Sequence, residues 1–229
     1  MAWTYQDLYD EIETEVDDDT SDAETVIKGF VNDVCEDIWQ SSNWSFKYAN
    51  TTISSVSGTR TYDLSSEVSD YAKILTIGYQ GENDDYPTVK NEISFQSLAT
   101  RYPDDDSTGT PILWSLYGDT LYFFPIPDYT GTDNITINYQ KVFTRLVDTT
   151  DVPAIPEKFR DVIKAGVKAK FWSYDDDTRS VEERNNYVNG LARMLIAESD
   201  RTLTPKRPRL FLFRDNDQGV TVKFEEGRF

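Results

Sequence analysis

Apolar residues near the start of the chain recur at the spacing of one helical face. Leu8, Ile12 and Val16 follow one another at intervals of four residues, which is the repeat of an amphipathic helix. Thr4 and Asp7 stand three residues apart just before this run, in the arrangement of a capping box. The pattern therefore predicts a helix that begins after Thr4 and ends at the aspartates that follow Val16.

Three further segments have the same helical period. A second helix is predicted from Ser21 to residues 41–43. Pro156 and Glu157 suit the first turn of a helix, and a third helix is predicted from there, with an apolar stripe that runs from Phe159 to Phe171. A fourth is predicted at about 178–199. The apolar positions of the second helix are Ala23, Ile27, Phe30 with Val31, Val34 and Ile38.

The middle of the chain changes to patterns that are typical of β-strands. Residues 51–53 and 60–62 flank a Ser-Gly pair and are expected to form a hairpin with each other. The strongest pattern spans 111–124, where two aromatic runs flank Gly118 and Asp119. These runs predict a second hairpin, because glycine after a short apolar run is a common turn signal.

Two more strands and a short helix are predicted between and after the hairpins. Tyr71–Tyr79 is rich in β-branched and aromatic residues, and 134–142 alternates Ile135, Ile137 and Tyr139 with polar neighbours. Residues 91–102 are expected to form a helix that ends before a proline.

The order of these elements predicts an α+β fold. Helices lie at both ends of the chain and strands in the middle, whereas a parallel α/β sheet would alternate the two. We expect a helical bundle built from the N- and C-terminal helices, with an inserted antiparallel β-rich region and a C-terminal extended arm or hairpin. The predicted segments are 1–43 (N-terminal helices), 44–150 (β-rich insertion), 151–200 (C-terminal helices) and 201–229 (arm).

The arm differs in charge from the rest of the chain. It contains seven bases and four acids, whereas the whole chain has 23 Lys and Arg against 41 Asp and Glu, a net charge of −18. Its apolar residues need burial, so a protein partner is favoured over nucleic acid, while packing of the arm on its own body remains an alternative. The residues predicted to contact this partner are Lys206, Arg207, Arg209, Leu210, Phe211, Leu212, Phe213 and Arg214.

Composition excludes most catalytic machinery. The chain has no histidine and a single cysteine, Cys35, so a Ser-His-Asp triad, a His-ligated metal and an intrachain disulfide are impossible. The aspartate runs at 17–19, 104–106 and 175–177 have diverging side chains and are interpreted as solvated loops, not cation sites. We therefore expect no catalytic residues of these kinds, no metal and no cofactor.

The sequence shows neither a signal peptide nor a membrane-spanning run. The first residues lack the basic and apolar regions of a signal peptide, and no run approaches the ~20 apolar residues of a membrane span. The sequence-based expectation is a soluble intracellular protein without a membrane partner. The strong negative charge argues against tight sequence-independent DNA binding, which depends on Lys and Arg.

Two stretches together resemble tailed-bacteriophage head-to-tail adaptor (connector) proteins. The first is the central hairpin: Gly109-Thr110-Pro111, Trp114, Gly118-Asp119-Thr120-Leu121-Tyr122-Phe123 and Pro125-Ile126-Pro127-Asp128. The second is the Pro-started helix with a small-residue face, Ile155-Pro156-Glu157-Lys158-Phe159 followed by 161–170. The resemblance spans about residues 3–200 and rests on turns and aromatic residues.

The resemblance implies a structural virion protein that is not an enzyme. Members of this family form a ring, usually of twelve copies, below the portal at the neck of the virion, and are made in the host bacterial cytoplasm. The ring extends the DNA channel, through which DNA passes only as cargo, and provides the platform for the tail nozzle or tail tube. The arm would bind the portal, and the predicted β-hairpin platform consists of Trp114, Tyr117, Tyr122 and Phe123.

Two other functions remain open from the sequence. The aromatic residues of the β-region could stack on sugars, as in a carbohydrate-binding module of a phage tail or receptor-binding apparatus. Paired carboxylates could support glycoside hydrolysis, but the required separation of ~5–9 Å between them cannot be derived from sequence. Loss of glycan binding on substitution of Trp114 or Tyr122 would favour the first of these, and turnover of a polysaccharide the second.

Overall fold

The computed structural model describes residues 3–18, 20–102, 106–202, 212–214 and 220–222, with 199–202 and the last two segments described through their backbone alone. Its helices are α1 (Tyr5–Val16), α2 (Ser21–Ser41), α3 (Leu64–Glu67), α4 (Phe95–Arg101), α5 (Arg160–Tyr174) and α6 (Arg179–Thr202). Its strands are β1 (Tyr48–Ser55), β2 (Thr61–Asp63), β3 (Tyr71–Tyr79), β4 (Thr88–Val89), β5 (Asn91–Glu92), β6 (Thr108–Gly109), β7 (Leu113–Tyr117), β8 (Thr120–Phe124), β9 (Ile126–Pro127), β10 (Gly131–Lys141), β11 (Leu212–Arg214) and β12 (Val220–Val222).

The first two helices begin at side-chain caps. The Thr4 hydroxyl accepts a hydrogen bond from the Asp7 backbone N–H at 3.2 Å, and the Asp7 carboxylate accepts one from the Thr4 backbone N–H at 2.9 Å. This reciprocal pair confirms the predicted capping box of α1. α2 starts at Ser21 as predicted, but its cap is Thr20, whose side chain accepts from the Ala23 backbone N–H at 3.2 Å.

The N- and C-terminal helices pack around one hydrophobic core. α5 lies at its centre and contacts α1, α2 and α6, after a 3₁₀ turn that follows Pro156. Gly166 lets α5 pack closely against α2 and α6, because a Cβ there would lie 2.7 Å from Val34 Cγ1 and 2.9 Å from Tyr187 Cδ2. The core includes Leu8, Ile12, Ile27, Val31, Val34, Ile38, Trp44, Ile163, Val167, Phe171 and Met194.

Two four-stranded sheets lie in the chain between α2 and α5. The first has the order β1-β10-β3-β4 and is antiparallel throughout. The second has the order β2-β8-β7-β5, in which β5 runs parallel to β7. A shared core joins the sheets and contains Ile53, Ile77, Tyr79, Trp114, Leu121, Phe123, Ile135 and Ile137.

One predicted hairpin is confirmed and the other is wrong. β7 and β8 pair across Gly118 and Asp119, with Trp114 opposite Phe123. β1 and β2 do not pair: β1 lies against β10, and β2 against β8. The reason is that β10 carries the fully buried Ile135 and Ile137 and takes a strand on both of its edges, which separates β1 from β2.

The short helix predicted at 91–102 is reduced to α4, because residues 91 and 92 form strand β5 instead. α4 covers the face of the β7–β8 hairpin opposite the shared core. There the Tyr102 ring stacks on Phe124 with 3.8 Å between centroids, and Leu98 is buried. The hairpin therefore has apolar side chains packed on both of its faces.

These observations confirm the α+β class, with a bundle of terminal helices and an inserted β-region. Within the C-terminal arm, β11 and β12 form an antiparallel pair in which Leu212 lies opposite Val222 and Arg214 opposite Val220. The four segment boundaries drawn from the sequence stay predictions.

Candidate functional site

The predicted β-hairpin platform divides into buried and exposed side chains. Trp114 is 2% exposed and Phe123 is fully buried, so both belong to the core shared by the two sheets. The Trp114 indole Nε1 donates to the Lys90 carbonyl at 3.2 Å, which satisfies its only polar group. These two residues hold the hairpin in shape and do not reach the surface.

Tyr117 and Tyr122 lie on the other face of the hairpin, together with a residue that the sequence analysis missed. Tyr117 is 62% exposed, and its ring stacks on that of Phe95 from α4 at 4.4 Å. The Tyr122 ring lies 5.0 Å from Phe95. We call Phe95, Tyr117 and Tyr122 the aromatic patch. Nothing in the local pattern around Phe95 indicates its place there, because only the packing of α4 on the sheet brings it to the tyrosines.

The arm residues predicted to bind a partner are only partly described. Lys206, Arg207, Arg209, Leu210 and Phe211 lie outside the described residues. Leu212, Phe213 and Arg214 form strand β11, whose backbone pairs with β12.

Glu198 fixes the end of α6 from which the arm continues. Its buried carboxylate accepts hydrogen bonds from the Ser45 hydroxyl, from the Ser45 backbone N–H at 3.3 Å and from Lys158 Nζ at 3.2 Å. Burial acts to raise the pKa of Glu198, but the bonds from Ser45 and Lys158 outweigh it and hold the pKa below its ordinary value. The carboxylate is thus charged at neutral pH and ties α6 to the turns before β1 and α5.

An ion-pair network joins α5 to its neighbours. Lys164 Nζ lies 2.8 Å from Glu15 and 3.3 Å from Glu11, and Lys168 Nζ lies 2.9 Å from Glu15 and 3.1 Å from Glu183. Burial alone would lower the pKa of both lysines, and the facing carboxylates raise it instead. The network connects α1, α5 and α6.

The Cys35 thiol and the aspartate runs were the candidates for reactivity and for cation binding. Burial raises the pKa of Cys35 to about 12, so this thiol stays protonated at neutral pH and unreactive. The Asp177 carboxylate accepts from the Arg179 backbone N–H at 2.8 Å, which places the third aspartate run at the start of α6. In the described segments, no group of three acidic or cysteine side chains is arranged to hold a metal ion.

Residues 3–209 match the model of the SU10 adaptor protein family. This match covers most of the chain, and the chain belongs to that family. It is therefore a phage structural adaptor protein. A comparison with curated proteins returned no match.

In the described parts of the chain, no helix combines the length and the apolar character needed to cross a bilayer.

Proposed function

We propose that copies of this chain form a ring, of about twelve by the family resemblance, below the portal in the neck of the virion. The ring extends the DNA channel and provides the platform on which the tail nozzle or tail tube assembles. The observation that carries this proposal is the family match across residues 3–209, which includes both the helical core and the β-region. In this role the chain acts through its shape and contacts and catalyses no reaction.

The arm is the proposed contact with the portal. Its basic and apolar residues, 206–214, suit a surface that offers both negative charge and an apolar groove. Glu198 supports this role, because it holds the last turns of α6 on the body and so fixes the point from which the arm departs. A firm starting point lowers the conformational freedom that the arm loses on binding.

The aromatic patch is the proposed contact with the tail. Tyr117 is exposed, Tyr122 is half-buried, and both rings contact Phe95. Side chains that are already ordered in this way bury apolar area on binding at little entropic cost. The same geometry weakens the carbohydrate-binding alternative, because Trp114 is buried and cannot stack on a sugar.

The negative charge of the body suits a channel for DNA. The chain has a net charge of −18, and a ring of such subunits repels phosphate, so DNA can slide past without sticking. DNA is in this proposal a passing cargo and not a ligand.

The test is the mass of the chain mixed with its cognate portal ring, measured by native mass spectrometry. The full chain is compared with a variant that ends at Thr202, the last residue of α6, so that the helix stays intact. We expect saturable binding by the full chain and its loss on truncation. Binding that survives truncation would move the portal contact from the arm to the body. An absence of binding by the full chain at micromolar concentration would overturn the proposed function.

A further inference from the structure

Strand β1 forms one edge of the first four-stranded sheet. The order of that sheet is β1-β10-β3-β4, so β1 is bonded to β10 on one side, and no strand of the described chain pairs with its other side. Its eight residues run from Tyr48 to Ser55, in regular register with β10 as far as Ile53. The backbone N–H and C=O groups that point away from β10 can therefore accept a further strand.

β1 lacks the features with which proteins protect a sheet edge. Short length, charged side chains and proline all hinder a second chain from pairing there. β1 and the turn after it, residues 48–59, contain neither a charged residue nor a proline, in a chain of which 28% of the residues are charged. Nothing in the sequence of this strand therefore opposes the addition of a partner strand.

The other edges of the two four-stranded sheets do have such features. The opposite side of the first sheet consists of β4, which has two residues, and of the part of β3 that carries the exposed Lys73. In the second sheet, β5 has two residues and includes Glu92. β2 has three residues, follows Arg60 and ends at Asp63. β1 differs from all of these edges in being both long and uncharged.

Space for another chain lies beside the second half of β1. A groove of about 380 Å³ opens there, and its lining includes Ile53 and Ser54 of β1 together with Thr61 and Tyr62 of β2. β1 and β2 do not pair with each other, so the groove separates the edge strands of the two sheets. The described body therefore does not block this part of the edge by its own packing.

A second unpaired edge lies in the arm. β11 and β12 form a sheet of two strands, and neither pairs with a described strand of the body. A two-stranded hairpin is only marginally stable in water, and a further strand stabilises it. β12 has the sequence Val-Thr-Val, which is β-branched throughout and uncharged, whereas β11 ends at the charged Arg214. β12 is therefore the better match for the uncharged edge of β1.

The chain between α6 and this hairpin is long enough to reach a neighbouring copy. Residues 203–211 separate Thr202, the end of α6, from Leu212, the start of β11. A chain of this length spans at most about 30 Å, which is about the diameter of a small domain. The hairpin can therefore lie on an adjacent copy while Glu198 holds α6 on its own body.

We propose that β12 of one copy pairs with the free edge of β1 in a second copy and so extends the first sheet of that copy. This inference rests on the proposed function, because it names a contact that joins neighbouring copies in the ring. Residues 206–214 remain available to the portal, since β11 lies on the side of β12 away from β1.

The residue patterns of the two strands match in this pairing. Along β1, Asn50 and Thr52 are exposed, whereas Ile53 is buried in the core shared by the sheets. β12 alternates apolar and polar residues in the same way. Its two valines can take the face of Ile53 while Thr221 takes the exposed face of Thr52.

Pairing of β1 with β1 of a second copy is less suitable. It would bring the same surface of both copies together, which closes a two-fold dimer and leaves β12 unpaired. The pairing of β12 with β1 joins two different surfaces, so each copy offers one and receives the other. Such a contact can repeat around the axis of a ring.

The test is disulfide cross-linking between two full-length chains of different mass, each with one added cysteine. One chain carries Thr221→Cys, and the other carries Asn50→Cys, Thr52→Cys or Ser54→Cys, three exposed positions along one face of β1. Cys35 stays out of the reaction because it is buried. Facing Cβ atoms of adjacent strands are about 4.5–5.5 Å apart, within reach of a disulfide. We expect a linked heterodimer in at least one of the three mixtures.

Thr136→Cys is the matched control for Thr52→Cys. Thr136 of β10 lies opposite Thr52 in the register, one strand further from the edge. Neighbouring strands are about 4.8 Å apart, so a strand paired with β1 is two such steps from Thr136 and beyond the reach of a disulfide. The linked fraction should be lower than for the best β1 position by about tenfold or more. Equal linkage would mean that the hairpin lies across the face of the sheet, and would contradict pairing at the edge.

A double variant separates pairing between copies from pairing within one copy. Thr221→Cys is combined with the β1 substitution that links best, and the oxidised chains are separated without reductant. A ladder of more than two linked chains supports the contact between copies. A link within one chain would give a monomer of altered mobility and would overturn the inference. Dimers formed by the single β1 variant alone would also overturn it, because they would show β1 paired with β1.

The cross-links are measured at high protein concentration, with and without the cognate portal ring. Binding of the wild-type chain to that ring is measured in parallel by native mass spectrometry. If the wild type binds the portal but no β1 position links to the Thr221→Cys chain, this inference fails and the proposed function stands. If the wild type does not bind the portal, the proposed function fails, and the heterodimers alone then decide on the contact between copies.

Discussion

The helical core and the β-region of this protein are held together by different polar interactions. Ion pairs join the helices: Lys164 and Lys168 of α5 reach Glu15 of α1. In the described part of the chain, no ion pair joins two of the strands β1–β10. There, neutral donors meet acids instead, as where the Tyr71 hydroxyl donates to Asp119 at 2.6 Å.

Because of this difference, the stability of the two regions should respond differently to salt and to acid. Attraction between charges weakens with salt and with protonation of the carboxylates, whereas the apolar packing of the sheets involves no charge that salt can screen or acid can neutralise. We therefore expect acid to destabilise the helical core before the β-region. Truncation of a buried apolar side chain should lower the free energy of unfolding in either region. Three substitutions test the comparison, from the largest expected effect to the smallest.

Trp114→Ala should destabilise the protein most, by about 3–5 kcal/mol, because it removes a buried indole from the core shared by the two sheets. Urea unfolding followed by circular dichroism measures this loss. Tyr117→Ala, on the same strand but exposed, is the matched control and should cost far less. Equal losses at the two positions would contradict the division of the hairpin into buried and exposed aromatic residues.

Gly166→Ala should lower the free energy of unfolding by about 1–3 kcal/mol, since the new Cβ overpacks the junction of α2, α5 and α6. Gly29→Ala, at an exposed position of α2, is the control. A Cβ at Gly29 meets nothing within 4 Å, so this change should stabilise α2 by about 0.5–1 kcal/mol. Thermal unfolding gives the sign of each effect, and two shifts of the same sign would show that the junction is looser than described.

Glu15→Gln should have the smallest effect, and that effect should depend on pH. Burial acts to raise the pKa of Glu15, but hydrogen bonds from Lys164 and Lys168 outweigh it and hold the pKa below the ordinary 4.5. Because the folded pKa is lowered, the stabilising contribution is present above pH 4.5 and is lost as the pH falls through the lowered pKa.

The expected difference between wild type and Glu15→Gln is less than about 1 kcal/mol at pH 7, because the side chain is 36% exposed and solvent screens the charges. It should shrink as the pH falls below 4.5 and through the lowered pKa. Urea unfolding at pH 7 and at successively lower pH checks this, with Glu92→Gln, at an exposed acid of β5, as the control. A difference that stays constant with pH would remove Glu15 from the charge network.

The helices could be predicted from the sequence because their signals are local. Thr4 and Asp7 of the capping box are three residues apart, and the apolar positions of α2 recur every three or four residues. The structure confirms both signals. Strand partners could not be predicted in the same way. Asn50 of β1 bonds to Asn138 of β10, which is 88 residues away, and no pattern near β1 indicates that partner over its neighbour β2.

For the candidate site, the sequence predicted that aromatic residues of the hairpin form it, but not which of them are exposed. The alternation along β7 and β8 does not say which face is exposed, because α4 covers the face that a simple sheet would leave to solvent. Trp114 and Tyr117 therefore have similar signals in the sequence and different environments in the fold. Phe95 was missed for the same reason, because its place beside the tyrosines follows from the packing of α4 on the sheet.

α6 carries the exposed Leu195 and the buried Glu198 on one uninterrupted helix of 24 residues, about 36 Å long. The direction and the height of the Glu198 carboxylate are therefore set by the number of residues that precede it in the helix. One residue inserted between Leu195 and Glu198 would turn the carboxylate by about 100° around the axis. Seven inserted residues would turn it by only about 20°, but they would move it about 10 Å along the axis, away from Ser45 and Lys158. Insertions of either length at this point should therefore release the end of α6 from the body.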